Sequence, residues 1–335
     1  MGRVTVRVPV ERIRTLDGQT ERSRRPDVLA VEEPLEIRAG GQVVTVTMRT
    51  PGADIDLVHG YLLAEGIITA ADQVRGARYC AGAVATGPDG VEQNTYNVID
   101  VHLDDPARIP LGLSRTSVST SACGVCGSAS IEAIAERLAR SGYAVPPTLA
   151  ATAHPTSPAT TTGAAAIRET PVSETSRSDT SRSDAFRSDT SRSDTSRSAV
   201  TISAGVIAEL VAALRTRQAV FERTGGLHAA ALADTGGTIH AHAEDVGRHN
   251  AVDKVVGAGL RAHVLPRPDA VLVVSSRASF EIVQKAAMAR IPIVIVVSAP
   301  SSLAVETAAA LGLTLIAFAR DERCNIYSGF ERVVG

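Results

Sequence analysis

The sequence contains no tryptophan, and aromatic residues occupy only 3% of its 335 positions. The core must therefore depend on Ala, Val, Leu and Ile, and a hydrophobic fraction of 44% is ordinary for a globular protein. No run approaches the roughly 18 uninterrupted apolar residues of a membrane helix. The first 25 residues contain several arginines but no apolar segment of an export signal. We therefore expect a cytoplasmic protein that does not bind membranes.

An excess of one charge is also missing, because 34 Lys and Arg residues face 36 Asp and Glu residues, for a net charge of −2. This balance excludes a global basic field that would attract nucleic acid, but it leaves local anion sites open. The four cysteines, Cys80, Cys123, Cys126 and Cys324, are too few for a disulfide scaffold in a chain of this length. The close pair Cys123 and Cys126 therefore indicates chemistry.

Residues 1–115 predict a small α+β domain. The segment PLEIRAGGQVVTVTM alternates around a Gly-Gly turn, and RYCAGAV returns through YNVIDVHL, as paired strands do. Between them, ADIDLVHGYLLAEGII has apolar residues at helical spacing and ends near Gly66. Residues 116–146 then contain the cysteine loop and a following helix.

Residues 147–199 form a low-complexity insert that ends in tandem TSRSD pentapeptides. Because the insert has few apolar residues to bury, folding could not offset its loss of chain entropy, and we expect a disordered tether. Residues 200–335 alternate helices with the apolar strands AVLVVS, PIVIVVS and LTLIAFA. This alternation predicts an α/β fold in which helices flank a largely parallel sheet.

Ligands of such sheets bind beyond the carboxyl ends of the strands, where this chain has SSRAS, SAPSS and RDERCN. Hydroxyls at helix N-termini and arginine forks suit a phosphate or pyrophosphate. Each serine also has a simpler interpretation as a helix cap. No GxGxxG or GxxxxGK[ST] motif supports a Rossmann or ATPase site. The candidate binding residues from this argument are Ser276, Arg277, Ser298, Ser301, Arg320 and Arg323.

The segment HAEDVGRHNAVDK, residues 242–254, is unusually dense in ionisable side chains. It predicts a helix beginning near Val246 that carries His249, Asp253 and Lys254 in its first turns. A salt-bridged helix face and a functional site explain this pattern equally well, and we keep His249 and Lys254 as candidate cofactor contacts.

In the loop CGVCG, a glycine follows each cysteine and a helix is predicted just afterwards. A helix N-terminus lowers a thiol pKa and favours the reactive thiolate. A structural zinc site needs four ligands, but the sequence has no second closely spaced cysteine pair. A thioredoxin-type dithiol would lie in a βαβ unit, whereas this loop follows the antiparallel N-terminal region. A zinc deaminase would place its HxE motif before the cysteines, whereas His242 and Glu244 follow them here. Sulfur handling by an exposed thiolate explains the loop better.

CGVCG, EDVGRHNAVDK, SSRASFEIVQKAA and VSAPSSLAVE, in this order, resemble the FdhD family of formate dehydrogenase accessory sulfurtransferases, as does TPGADIDLVHGYLLAEGII. The resemblance covers residues 27–328, apart from the insert. It implies a cytidine-deaminase-like fold for the C-terminal domain. It also implies that a cysteine desulfurase passes sulfur to Cys123 as a persulfide, with Cys126 assisting.

The implied acceptor of this sulfur is the bis-molybdopterin guanine dinucleotide (Mo-bisMGD) cofactor of formate dehydrogenase, bound as a substrate and mimicked by GDP. No metal ligands of the protein's own are assigned. A chaperone that holds the cofactor without sulfur chemistry is the alternative, and a structural zinc protein is a weaker one. A homodimer is compatible with the sequence. The cofactor-binding residues implied by the resemblance are Phe318, Ala319, Arg320, Asp321, Glu322 and Arg323.

Overall fold

The computed structural model describes residues 3–80, 84–86, 92–94, 97–109, 131–140 and 200–335, which belong to one compact unit. Cys123, Cys126 and the insert at 147–199 lie outside the described residues. The expected disorder of the insert and the division of the chain into domains therefore stay predictions. No described helix combines the length and the apolar character needed to cross a membrane.

The first part of the chain contains two sheets and a helix. The elements are β1 (Thr5–Leu16), β2 (Gln19–Ala30), β3 (Glu33–Ala39), β4 (Gln42–Arg49), α1 (Asp54–Ala64), β5 (Val74–Cys80), β6 (Val84–Thr86), β7 (Glu92–Asn94), β8 (Val98–Leu103) and α2 (Ile131–Arg140). A four-stranded sheet has the order β4-β3-β8-β5. Its two predicted strand pairs are confirmed, and α1 ends before Gly66 as expected.

The hairpin of β1 and β2 was not predicted from the sequence. It forms a two-stranded sheet of its own, and its outer half is exposed on both strands. A Val-rich alternation and the turn residues Asp17 and Gly18, both with positive φ, explain why this segment forms a hairpin.

The second part of the chain builds the main sheet. The elements are β9 (Ile202–Ser203), α3 (Ala204–Thr216), α4 (Ala219–Thr224), β10 (His228–Asp234), β11 (Ile239–Asp245), α5 (Arg248–Arg261), β12 (Ala270–Val274), α6 (Phe280–Met288), β13 (Ile293–Val296), α7 (Ser302–Ala310), β14 (Thr314–Arg320), β15 (Arg323–Ser328) and β16 (Val333–Val334).

Six of these strands form a mixed sheet in the order β11-β10-β12-β13-β14-β15. The three central strands, β12 to β14, are parallel, and every residue of β12 and β13 is buried. Continuous apolar strands covered on both faces give this pattern. The predicted helix-flanked α/β fold is therefore confirmed, with β10, β11 and β15 as its antiparallel members.

Helix α5 packs against α1 with the two backbones almost in contact. A methyl group at Gly257 would lie 1.8 Å from the carbonyl oxygen of Asp56, and one at Gly60 would lie 2.0 Å from that of Asp253. Only glycine permits such an approach. One hydrophobic core consequently includes residues from the N-terminal sheet, α1, α5 and α6, and a second core fills the space between α3 and the opposite face of the main sheet.

Candidate functional site

A cavity of about 1060 Å³ opens at the carboxyl ends of the three parallel strands. Ser275 follows β12, Val297 follows β13, and residues 319–321 end β14; all of them line the cavity. The opposite wall comes from α3, α4 and residues 225–228. This is the place where an open α/β sheet offers a ligand crevice. A second cavity, of about 330 Å³ at the base of the hairpin, contains none of the predicted site residues.

The end of β14 is distorted beside the cavity. Phe318 and Asp321 adopt positive φ values of 53° and 52°, and the register with β15 shifts between Ala317 and Arg320. Left-handed backbone is costly for a bulky residue, and such strain concentrates at functional sites. The bulge leaves the Phe318 side chain 39% exposed.

Three of the six residues that the family resemblance had implied, Ala319, Arg320 and Asp321, line the cavity. Phe318, Glu322 and Arg323 are exposed beside them but do not line it. Within the described part of the chain, the guanidinium groups of Arg320 and Arg323 have no ion pair. Two uncompensated cations at the rim of a cavity suit an anionic ligand.

Of the serines that follow β12 and β13, Ser275 lines the cavity, but the candidate residues Ser276, Ser298 and Ser301 do not. Ser301 accepts a hydrogen bond from the Ala304 N–H at 3.2 Å and caps α7, which is the simpler interpretation of this residue. Ser276 is buried and donates to the Arg277 carbonyl at 3.1 Å, while the Arg277 side chain is exposed. The Ser298 carbonyl accepts from the Phe318 N–H. None of these four residues lines the cavity.

Lys254 lies far inside the fold, in a group of residues that we call the α5 seam: Arg49, Thr50, Asp54, Asp245, Asn250 and Lys254. The ammonium of Lys254 is 2.7 Å from an Asp245 carboxylate oxygen and 2.8 Å from the Thr50 carbonyl oxygen. Burial raises the pKa of Asp245, and Lys254 opposes that rise. The structure therefore does not bring Lys254 together with the residues that line the cavity.

Asp245 lies just before α5 but does not cap the helix. Its carboxylate accepts hydrogen bonds from the Gly247 N–H at 2.8 Å and from the Asn250 amide at 3.2 Å, and α5 begins only at Arg248. The Arg49 guanidinium binds both oxygens of Asp54, at 3.1 and 3.0 Å. Every charge of the α5 seam is thus compensated by a neighbour.

His249 lies where α5 and α6 begin. One of its ring nitrogens, Nε2, is 3.1 Å from the Ser279 hydroxyl oxygen. Burial, followed by the nearby charges of Lys285 and Arg248, lowers the pKa of His249 to about 4. The imidazole is therefore neutral at neutral pH. His228, which lines the cavity, is close enough to Arg248 and His249 for their charges to interact.

Glu244, the acid of the HxE sequence, has a structural task. Its two carboxylate oxygens accept hydrogen bonds from the N–H groups of Val220 and Phe221, at 2.9 and 2.7 Å, and so hold the first turn of α4. A carboxylate that is occupied in this way is not available as the acid and base of a deaminase. Among the described residues, no group of three His, Cys, Asp or Glu side chains is placed to bind a metal ion.

Sequence reasoning missed the wall formed by α3 and α4. Gln218, Phe221, Arg215 and Glu209 line the cavity there, although none of them follows a strand. The segment SAGVIAELVAALRTRQAVF has one continuous helical pattern, whereas the helix breaks after Thr216 and restarts at Ala219. The break turns side chains of α4 toward the strand ends, and the continuous helical pattern does not reveal it.

Comparison with known proteins gives the family. The model of the FdhD/NarQ family matches residues 30–155 and 152–334. The chain belongs to the FdhD/NarQ family. The resemblance expected from the motifs is therefore confirmed, and the cavity lies wholly within the second matched range.

Family members of known name match almost the whole chain. The sulfur carrier protein FdhD of Nocardia farcinica is 46% identical over 99% of this chain and 96% of its own length. That of Streptomyces coelicolor is 42% identical over 99% and 97%. A crystal structure described as a formate dehydrogenase accessory protein of Desulfotalea psychrophila has a TM-score of 0.61, covers 98% and 99% of the two chains, and is 20% identical. At that identity it bears on the fold alone.

Proposed function

We propose that this chain is a sulfur carrier, which accepts sulfur on Cys123 and delivers it to the Mo-bisMGD cofactor on behalf of formate dehydrogenase. The proposal draws on the relatives named sulfur carrier protein FdhD, at 42–46% identity over nearly the whole chain. The observation that carries it is the cavity at the strand ends, whose lining includes Arg320, a cation without an ion pair among the described residues. A volume of about 1060 Å³ suits a nucleotide-bearing ligand.

In the proposed first step, the Cys123 thiolate attacks the outer sulfur of a persulfide on a cysteine desulfurase. The donor's S–S bond breaks, the donor leaves as a thiolate, and a persulfide forms on Cys123 without net oxidation. In the second step, the electron pair of the new S–S bond stays with Cys123, and the acceptor supplies the two electrons that convert the outer sulfur to sulfide. Cys126 is assigned an assisting role.

The cavity has the task of anchoring the cofactor in this scheme. Arg320, with Arg323 beside it, would bind the phosphates of a guanine dinucleotide through guanidinium forks. The bulge at Phe318 presents the rest of the segment to the ligand. The cytidine-deaminase-like topology, the cytosolic location, the desulfurase partner and the homodimer stay predictions.

A chaperone that only holds the cofactor is the second candidate, and the same cavity favours it. The two functions differ in their need for the thiolate. Formate dehydrogenase activity in cells that carry Cys123→Ser separates them, because a carrier loses activity and a pure chaperone keeps it. Binding of GDP to the purified protein tests what both share, and absence of binding would count against either.

A further inference from the structure

Gln218 stands between α3 and α4, where it lines the cavity. Its side chain is only 6% exposed, so it is one of the few buried polar residues at this edge of the sheet. The backbone N–H of Gln218 bonds to the Arg215 carbonyl oxygen, and its carbonyl oxygen accepts from the Glu222 N–H. The residue is therefore fixed by its backbone, and its side chain is not needed to close the helix break.

The carboxamide of Gln218 has no hydrogen bond in the part of the chain that the structure describes. Among the described side-chain atoms, the only fully buried one without a partner is Nε of Arg248. The Gln218 amide consequently keeps its contact with solvent through the cavity. A largely buried amide without a protein partner is uncommon and costs stability, so its partner is expected to come from a ligand or from water.

Phe221 lies one helical turn beyond Gln218 and supplies the aromatic ring of the cavity wall. The Arg215 guanidinium lies 5.4 Å from the centroid of this ring, and Glu244 holds the backbone of the same turn. The ring is thus held in place by Arg215, which also lines the cavity, and by the anchored backbone of its own turn. A fixed aromatic face next to an amide with a free donor and acceptor is the combination that recognises flat heterocycles.

We propose that Gln218 and Phe221 bind a fused heterocycle through its lactam edge, a ring N–H beside a carbonyl. The amide N–H₂ would donate to the carbonyl, the amide oxygen would accept from the ring N–H, and Phe221 would stack on the ring. Guanine and pterin both present this edge, and the cofactor of the proposed function contains both. The inference rests on that proposed function and adds the residues that recognise the base.

The test uses the full-length protein with three probes, namely GDP, the soluble pterin neopterin, and pyrophosphate. Gln218→Met keeps the length of the side chain and removes its amide. We expect binding of GDP or of neopterin to weaken about tenfold, as for the loss of one or two neutral hydrogen bonds. The probe that weakens identifies the guanine or the pterin as the bound ring. Pyrophosphate affinity should not change.

Stability gives an independent measurement, because a ligand-binding role and a structural role predict opposite signs. Removal of an unpaired buried amide should raise the melting temperature of the free protein. The matched control is Gln284→Met: Gln284 is 8% exposed, bonds to the Ala64 carbonyl oxygen and does not line the cavity. The control should lower the melting temperature and leave all three affinities unchanged.

Phe221→Leu is the second variant, and loss of stacking should weaken the same probe about tenfold or more. If Gln218→Met and Phe221→Leu bind GDP and neopterin as tightly as the wild type, the inference is wrong while the proposed function stands. If the wild type binds none of the three probes, the proposed cofactor site itself is wrong. A lower melting temperature for Gln218→Met would also overturn the inference, since the amide would then have a structural partner.

Discussion

The α5 seam and the cavity are both rich in polar side chains, but they differ in how those side chains are paired. In the seam, Lys254, Asp245 and Asn250 bond to one another and to the loop after β4, and none is exposed. In the cavity, the side chains of Gln218 and Arg320 have no hydrogen-bond or ion-pair partner among the described residues. A closed network stabilises the fold, whereas unpaired groups at a cavity are available to a ligand. Charge density in the sequence does not separate these two cases.

The largest expected effect on stability comes from the seam. Lys254→Met leaves the buried Asp245 carboxylate without its cation, and we expect the free energy of unfolding to fall by about 3–5 kcal/mol. Urea denaturation measures it. Arg261→Met, which breaks an exposed pair with Asp56, should cost less than about 1 kcal/mol. Equal losses in the two variants would contradict the distinction between closed and exposed pairs.

The next effect tests the helix crossing that holds the seam together. Gly257→Ala places a methyl group against the Asp56 carbonyl, so α5 must move, at a cost of about 1–3 kcal/mol or more. Gly205→Ala in α3 is the matched control, because the nearest atom to its new methyl group is 3.8 Å away. That variant should gain up to about 1 kcal/mol from helix propensity. Thermal melting of both proteins checks the pair, and a stable Gly257→Ala protein would refute the close crossing.

The contribution of His249 to the free energy of unfolding depends on pH. Its pKa is lowered from 6.5 to about 4 in the folded protein, so its contribution to stability is complete above about pH 6.5 and is lost as the pH falls toward 4. His249→Gln removes this loss. Relative to the wild type, the variant should be more stable at pH 5 than at pH 7.5 by roughly 1–2 kcal/mol.

Asp253 bears on the design of that experiment. Burial raises its pKa to about 6, so it contributes stability in the opposite direction over the same pH range. The comparison must therefore be made between variant and wild type at each pH, by urea denaturation. His242→Gln, at an exposed position on β11, serves as the control. An identical difference from wild type at both pH values would show that His249 is not held neutral.

The smallest effect on stability is expected at the cavity rim. Arg320→Ala should change the free energy of unfolding by less than about 0.5 kcal/mol, because the side chain is exposed and unpaired. It should weaken GDP binding about tenfold or more, since a charge-assisted hydrogen bond to phosphate is lost. Isothermal titration calorimetry measures this, with Arg75→Ala on β5 as the control. Unchanged affinity for GDP would move the phosphate site away from β14.

The location of the cavity could be predicted because three apolar strands, β12 to β14, carry their own signal. Their order predicts that the segment RDERCN, residues 320–325, lies at the carboxyl edge of the sheet, and Arg320 and Asp321 of this segment line the cavity. Gln218 and Phe221 could not be found in this way, because they reach the cavity through the packing of α3 and α4 on the sheet. The hairpin of β1 and β2 was missed although its Asp-Gly turn is a strong local signal.

Lys254 shows the opposite difficulty. Its segment has the composition of a site, and only the contact with the Thr50 carbonyl, about two hundred residues earlier in the chain, reveals that it holds the fold. A contact over such a separation has no local signature. Composition therefore indicated where polar chemistry is concentrated but did not indicate which groups are paired.

The proposed transfer of sulfur through Cys123 is tested most directly by mass spectrometry of the intact protein. After incubation with a cysteine desulfurase and cysteine, the wild type should gain one sulfur atom that maps to the peptide containing Cys123 and is removed by a thiol reductant. Cys123→Ser should gain none and should fail to support formate dehydrogenase. A Cys123→Ser protein that gains sulfur at the wild-type rate and supports the enzyme would show that Cys123 is not the sulfur carrier.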